Sequence, residues 1–220
     1  MKSNMKYKVK KLTKQIIAIV VPDKYERGML FCRAQEFYES PNAKFRGKHF
    51  SIWDYVNWYV KTYKRDCFSY PADYVGFNIP LETVIECYSE ASAFETPYDT
   101  AMWSLATKLY DTGDSRKYLI GVDTVETDIF EHELAHALYY VNDNYRQEMD
   151  AITNQLSKPD FDCFQKNLLN LGYCKAVVRD EIQAYMATEM NKKVTKGFKH
   201  VLELYSSYSE VFKRYLKQIR

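Results

Sequence analysis

The chain has 220 residues, of which 46% are hydrophobic, and its seven glycines and six prolines are too few for long disordered stretches. Its formal net charge of +2 creates no overall field that would favour a nucleic acid or a membrane surface as a partner. The five cysteines are odd in number and none forms a CxxC pair, so we expect reduced thiols in a cytoplasmic protein. The apolar run at 16–21 is too short to span a bilayer, so we expect no membrane segment there.

The first half of the chain predicts one strand followed by helices. Residues 14–23 form a β-branched apolar run closed by Pro22, which is typical of a buried strand. The lysines before this run predict a solvated, partly mobile arm. Ser51 and Thr96 are candidate N-caps, whereas two prolines and a glycine predict a loop or short extended segment over 69–80. The predicted helices span 24–40, 52–64, 80–89 and 97–110.

The second half predicts one strand and then only helices. Residues 116–124 have the composition of a strand. Asp123 and Glu126 have the spacing of a capping box, which would open a helix over 124–142. Together with the first half, this pattern predicts an α+β protein that is mostly helical with a small sheet. The remaining predicted helices span about 144–157, 160–171, 175–190 and 198–218.

An HExxH pattern at 132–136 falls within the predicted helix 124–142. Residues four apart share a helix face, so the imidazoles of His132 and His136 can reach one metal ion. Glu133 is rotated by one residue and can reach a water on that ion, where a carboxylate acts as a general base in hydrolysis. The alternative is an ordinary helix whose two histidines happen to stand four apart.

This pattern resembles the signature of the zincin metallopeptidases. Metzincins continue the signature as HExxHxxGxxH, but Tyr139 and Asn142 occupy the positions of that glycine and last histidine here. A peptide deformylase would need a cysteine ligand in its own upstream motif, and the sequence has no such motif. The remaining zincins of interest are the gluzincins, which take a glutamate from a later helix as the third ligand.

The segment RDEIQAYMAT at 179–188 resembles the ExxA segment of small gluzincins of the phage-repressor-cleaving (ImmA-type) group. Matched residue by residue, Glu181 falls on the ligand and Ala184 on the alanine. The match is partial, because Tyr185 stands where that group often has Asn. The resemblance covers about residues 116–190.

The resemblance implies a zincin-like core in 116–220, with the C-terminal helix included, and an edge strand before the HExxH helix that holds an extended peptide. Residues 1–115 would then be an N-terminal α/β region of unassigned role, although both regions could form one continuous domain. The implied zinc ligands are His132, His136 and Glu181, with Glu133 as the catalytic base. The rival acidic ligands are Glu148, Asp150 and Asp180.

The positions of three further residues along the predicted helices suggest roles for them at the metal site. Tyr185, one turn after Glu181, could donate to the oxyanion or brace a ligand, and Tyr140 is a second candidate. Asp128, one turn before His132, could orient that imidazole, or it could simply favour the helix N-terminus. The two other histidines, His49 and His200, have no patterned partner and are expected to be ordinary core or surface residues.

These features favour a zinc-dependent metallopeptidase that acts on a protein or peptide substrate. One alternative is a regulatory or interaction module that binds zinc with little or no turnover, and another is a non-peptidase metal hydrolase. We expect the C-terminal helix at 198–218 to dock on the core by its apolar face, the alternative being that it covers the metal and keeps an enzyme latent.

Overall fold

The computed structural model describes residues 5–110, 116–189, 191–198 and 201–219. They form an α+β structure that is mostly helical, with a small mixed sheet, as the sequence predicts. The chain divides into two compact units, Met1–Val125 and Glu126–Arg220. The division falls after the strand predicted at 116–124, so that strand lies in the N-terminal unit.

The N-terminal unit contains the sheet, whose strand order is β1-β2-β4-β3. β2 and β4 run parallel, and β1 and β3 are antiparallel to their neighbours. All residues of β2 and β4 are buried, which explains why both are continuous apolar runs without alternation. The strands are β1 (Lys8–Lys11), β2 (Ile16–Val20), β3 (Phe77–Pro80) and β4 (Tyr118–Val122).

Two predictions about strands are wrong. β4 was expected at a sheet edge, but it pairs with β2 on one side and with β3 on the other, so its backbone groups are not free for a peptide. The lysine-rich segment was expected to be a mobile arm, but Lys8–Lys11 forms the exposed outer strand β1. The turn that joins β1 to β2 is held by Thr13, whose Oγ1 accepts hydrogen bonds from the amides of Gln15 and Ile16.

Five α-helices are described in the N-terminal unit, and side chains cap three of them. Asp23 caps α1, Ser51 caps α2, and Thr96 forms a capping box with Asp99 at the start of α5. The segment 69–80, expected as a loop or extended, forms a short helix followed by β3. The helices are α1 (Lys24–Glu39), α2 (Ile52–Thr62), α3 (Tyr70–Asp73), α4 (Leu81–Cys87) and α5 (Pro97–Leu109).

A hydrophobic core lies between one face of the sheet and these helices. Aromatic rings make up much of it, including the buried rings of Tyr55 and Tyr70. Gly28, which weakens the start of α1 in sequence, is explained by packing: a Cβ there would lie 2.5 Å from Cα of Pro71 in α3. Glycine therefore allows α1 and α3 to approach closely.

The described residues of the C-terminal unit form helices and the connections between them, with no strand among them. Its helices are α6 (Asp128–Val141), α7 (Asp143–Thr153), α8 (Lys158–Asn170), α9 (Val178–Thr188) and α10 (Val201–Ile219). α9 packs against α6, α7, α8 and α10, and α10 also packs against α7, so the predicted docking of the C-terminal helix on the core is confirmed. No described helix has the length and hydropathy that crossing a membrane requires.

The start of α6 differs from the prediction. Thr127, and not Asp123, is the N-cap: its Oγ1 accepts a hydrogen bond of 3.2 Å from the amide of Phe130. Asp123 instead accepts a hydrogen bond from the neighbouring amide of Thr124. The helix therefore begins one turn later than expected, and His132 lies in its second turn.

Candidate metal centre

The candidate centre is formed by two helices of the C-terminal unit, α6 and α9, which pack side by side. α6 presents His132 and His136 from consecutive turns of one face. α9 presents Glu181 from its first turn, where the partial positive charge of a helix N-terminus favours a carboxylate. Glu181 is only 3% exposed, so it is a buried carboxylate and not a surface one.

Three ligand atoms converge on one point. Nε2 of His132 lies 3.3 Å from Nε2 of His136, and Nε2 of His136 lies 3.6 Å from Oε1 of Glu181. One ligand atom from each of the three residues lies within 4.8 Å of the others. A tetrahedral zinc ion with bonds of about 2.1 Å holds its ligand atoms about 3.4 Å apart. The three groups therefore fit one small ion after minor adjustment.

Glu133 lies beside this point, as the sequence suggests. It is 7% exposed, and its charge acts on both His136 and Tyr185. A buried carboxylate next to a trio of ligands can accept a proton from a water held there.

The ring nitrogen of His136 that faces away from the centre meets a second carboxylate. Its Nδ1 lies 2.9 Å from Oδ1 of Asp180, the residue just before Glu181 in α9. Asp180, a rival ligand in the sequence, therefore stands behind His136 and not beside Glu181 at the point of convergence. A carboxylate in this place fixes the imidazole orientation and leaves Nε2 available for a metal.

His132 meets different neighbours, from the second half of α9 and from the residue that follows this helix. The ring of Tyr185 packs against its ring with centroids 4.7 Å apart. Its Nδ1 lies 3.5 Å from Oγ1 of Thr188 and 3.9 Å from Oε1 of Glu189. Asp128, expected as a possible orienting group, is exposed in the first turn of α6, and no ion pair within the described residues joins it to His132.

The two candidate oxyanion donors have different surroundings. The hydroxyl of Tyr185 lies 2.8 Å from the hydroxyl of Tyr173, in the connection between α8 and α9. Burial raises the pKa of Tyr185 to about 12, so the phenol keeps its proton at neutral pH. Tyr140 is half-buried one turn after His136 on α6, and its role stays a prediction.

The two histidines respond differently to their surroundings in the metal-free protein. Burial, together with the charge of His136, holds the pKa of His132 well below its usual value. Burial also acts to lower the pKa of His136, but the carboxylates of Asp180 and Glu181 outweigh it and raise that pKa to about 10. The pair therefore carries one positive charge near neutral pH, on the imidazole that lies between two carboxylates.

The other acidic and histidine candidates lie elsewhere. Glu148 binds the guanidinium of Arg214 at 2.6 Å, and Asp150 accepts a hydrogen bond of 2.7 Å from the hydroxyl of Tyr139. His49 lies in the N-terminal unit, 3.6 Å from a carboxylate oxygen of Glu90, as an ordinary residue. His200 lies outside the described residues.

Several neighbours of the centre were not found from the sequence, and helix periodicity gives a signal for one of them. Thr188 follows Glu181 by two turns, on the face that also carries Tyr185. Tyr173 has no comparable signal, because it lies in a connection whose path depends on the packing of two helices.

Comparison with known proteins yields no relative: no family model, no curated protein and no solved structure matches this chain. The interpretation of the centre therefore depends on its own geometry and chemistry.

Proposed function

We propose that this protein is a zinc-dependent metallopeptidase of the gluzincin type, with a zincin-like core built around α6 and α9. The observation that carries the proposal is the convergence of His132, His136 and Glu181 on one point, with the carboxylate of Glu133 beside it. Three nitrogen and oxygen ligands leave a fourth tetrahedral position for water, which distinguishes a catalytic zinc site from a closed structural one.

The donor set also favours zinc over harder cations. Two imidazoles and one carboxylate suit zinc, whereas calcium and magnesium prefer shells made only of oxygen atoms. Bound zinc would polarise the scissile carbonyl and lower the pKa of a water molecule towards about 7. His132, His136 and Glu181 would hold the ion.

Glu133 would transfer a proton from the attacking water to the leaving group. Its carboxylate accepts a proton from the attacking water and then donates it to the nitrogen of the leaving amine, so no covalent intermediate with the protein forms. Tyr185 is the better-placed donor to the carbonyl oxygen, since its ring packs on His132 and its hydroxyl keeps its proton at neutral pH. We expect a protein or peptide substrate and a cytoplasmic site of action.

The test compares purified wild type with Glu133→Gln, measuring zinc content and cleavage of a peptide library. Glutamine has the size of glutamate but cannot accept the proton, so zinc should stay bound while cleavage falls by about 10²- to 10⁴-fold. Glu131→Gln is the matched control on the same helix and should cleave like wild type.

Full zinc content without cleavage by wild type would favour the alternative, a zinc-binding regulatory or interaction module. Equal cleavage by wild type and Glu133→Gln would assign the base to another residue.

A further inference from the structure

Behind the candidate ligand His136, three side chains form a continuous polar chain that ends on α7. Oδ1 of Asp180, which lies 2.9 Å from Nδ1 of His136, also accepts a hydrogen bond of 2.8 Å from Nε2 of Gln183. Oε1 of Gln183 accepts a hydrogen bond of 2.9 Å from the hydroxyl of Tyr145. The chain therefore links α6, α9 and α7 through four residues.

The donor and acceptor groups of these side chains fix the direction of each hydrogen bond in the chain. A carboxylate only accepts, so the amide of Gln183 must present its NH₂ group to Asp180 and its oxygen to Tyr145. Both Gln183 and Tyr145 are fully buried, so water cannot replace either partner without opening the helix packing. Asp180 is thereby held from a second side while it faces the imidazole.

We propose that Asp180, Gln183 and Tyr145 are positioning residues, which fix the ring of His136 with Nδ1 protonated and Nε2 directed at the metal. This inference rests on the proposed function and adds residues that act through His136 without touching the ion. The chain holds the ring before the metal arrives, so less ordering is required on binding. His132 has a looser arrangement, with Thr188 and Glu189 at 3.5 and 3.9 Å from its Nδ1.

The first experiment measures the affinity of the full-length chain for Zn²⁺ by competition with a chromophoric chelator. Asp180→Asn keeps the side-chain volume and removes the charge, and we expect it to lower the affinity by about 10- to 100-fold. Gln183→Leu and Tyr145→Phe should lower it by about 2- to 10-fold, because each removes one buried link of the chain.

Tyr139→Phe is the matched control. It removes a phenol hydroxyl of the same unit that donates a hydrogen bond of 2.7 Å to a carboxylate, Asp150, outside the chain. If the loss of any phenol hydroxyl bond in this unit lowered the affinity, Tyr139→Phe and Tyr145→Phe would both lower it. The proposal requires that only Tyr145→Phe lowers the affinity for zinc.

The second measurement is independent of the metal. In the metal-free protein, the Nδ1 proton of His136 should give a downfield proton NMR signal that is protected from exchange with water. The signal should be absent from Asp180→Ala and retained in Tyr139→Phe. A structural role alone would not remove this one signal from a folded variant.

The outcomes separate this inference from the proposed function. If wild type binds zinc, and Asp180→Asn and Tyr145→Phe bind it equally well, the positioning chain is wrong and the metallopeptidase proposal stands. Survival of the NMR signal in Asp180→Ala has the same meaning. If wild type binds no zinc but shows the Asp180-dependent signal, the chain positions His136 and the proposed function is wrong.

Discussion

The two units of this protein contain buried ionisable groups of similar kinds but arrange them differently. In the N-terminal unit, the guanidinium of Arg33 donates to Oδ1 of Asp99 at 2.8 Å and to Oε2 of Glu95 at 2.6 Å. The other oxygen of Asp99 accepts from the amide and the hydroxyl of Thr96. Each donor meets an acceptor, and the network links α1 to the start of α5.

In the C-terminal unit, two ring nitrogens and a carboxylate oxygen converge on one point. Nε2 of His132, Nε2 of His136 and an oxygen of Glu181 point at one place, where lone pairs oppose each other once the imidazoles are neutral. Such an arrangement is costly unless a cation occupies the point or a proton is retained. Burial alone therefore does not distinguish the two units, whereas the convergence of two ring nitrogens and a carboxylate oxygen on one point is found at the C-terminal cluster and is the arrangement that a bound cation requires.

Loss of either histidine of the C-terminal cluster should have the strongest consequence. His132→Ala and His136→Ala should each reduce bound zinc from about one ion per chain to near zero, because two remaining ligands hold zinc weakly. His49→Ala, which removes a histidine of the N-terminal unit, should leave zinc content unchanged. Elemental analysis of the purified proteins checks this, and a stoichiometric ion in both α6 variants would place the metal elsewhere.

The second effect concerns the buried ion pair of the N-terminal unit. Arg33→Met leaves the buried carboxylate of Asp99 without its cation, which should lower the free energy of unfolding by about 3–5 kcal/mol. All three tryptophans lie in the N-terminal unit, so tryptophan fluorescence during urea unfolding reports on it. An Arg33→Met protein as stable as wild type would show that the ion pair contributes little there.

The third effect concerns Glu36, a buried carboxyl of α1. Burial raises its pKa from 4.5 to about 7, against the hydroxyls of Ser40, Tyr55 and Tyr70, which lower it. The unfolded chain therefore loses this proton first, and stability falls as the pH rises from 4.5 through 7. Glu36→Gln should remove this loss of unfolding free energy, which is about 3 kcal/mol above pH 7. Below pH 4.5 the substitution should change the free energy of unfolding little.

The urea midpoint of wild type and Glu36→Gln at pH 4.5 and pH 8 measures this difference. Glu39→Gln, on the same helix, is the control for the glutamine substitution itself. An equal change at both pH values would mean that Glu36 does not titrate with a raised pKa.

The fourth effect concerns the proton that His136 releases when zinc binds. Since the carboxylates around His136 raise its pKa to about 10 despite burial, zinc must displace a proton near neutral pH. The affinity for zinc should rise by about tenfold for each pH unit between 6.5 and 8.5. Calorimetry in buffers of different ionisation enthalpy should show close to one proton released, and a pH-independent affinity would refute the charge state assigned to His136.

The sequence predicts those parts of the centre that depend on local geometry. Helical spacing places His132 and His136 on one face, and any helix over this segment produces the same result. The family resemblance adds Glu181, which the structure brings to the two histidines across the contact of α6 with α9. The place of Asp180 could not be predicted without the contact of α6 with α9. Asp180 and Glu181 are adjacent in sequence, and they differ in which nitrogen of the His136 imidazole they meet.

The errors have a common physical cause. The place of β4 inside the sheet is decided by its pairing with β2, which lies far away in the sequence. The same holds for the lysine-rich β1, whose order comes from backbone pairing that its exposed side chains do not signal. Local patterns predict which segments are helices or strands, but lateral neighbours depend on the whole fold.

The zinc K-edge X-ray absorption spectrum of the purified, zinc-loaded protein directly tests whether His132, His136 and Glu181 hold the metal. We predict nitrogen and oxygen atoms at about 2.0–2.1 Å in the first shell, with the outer-shell scattering of two imidazoles. Failure to retain zinc would contradict the account. So would sulfur in the first shell at about 2.3 Å, which would assign the metal to cysteines and not to the convergence of His132, His136 and Glu181.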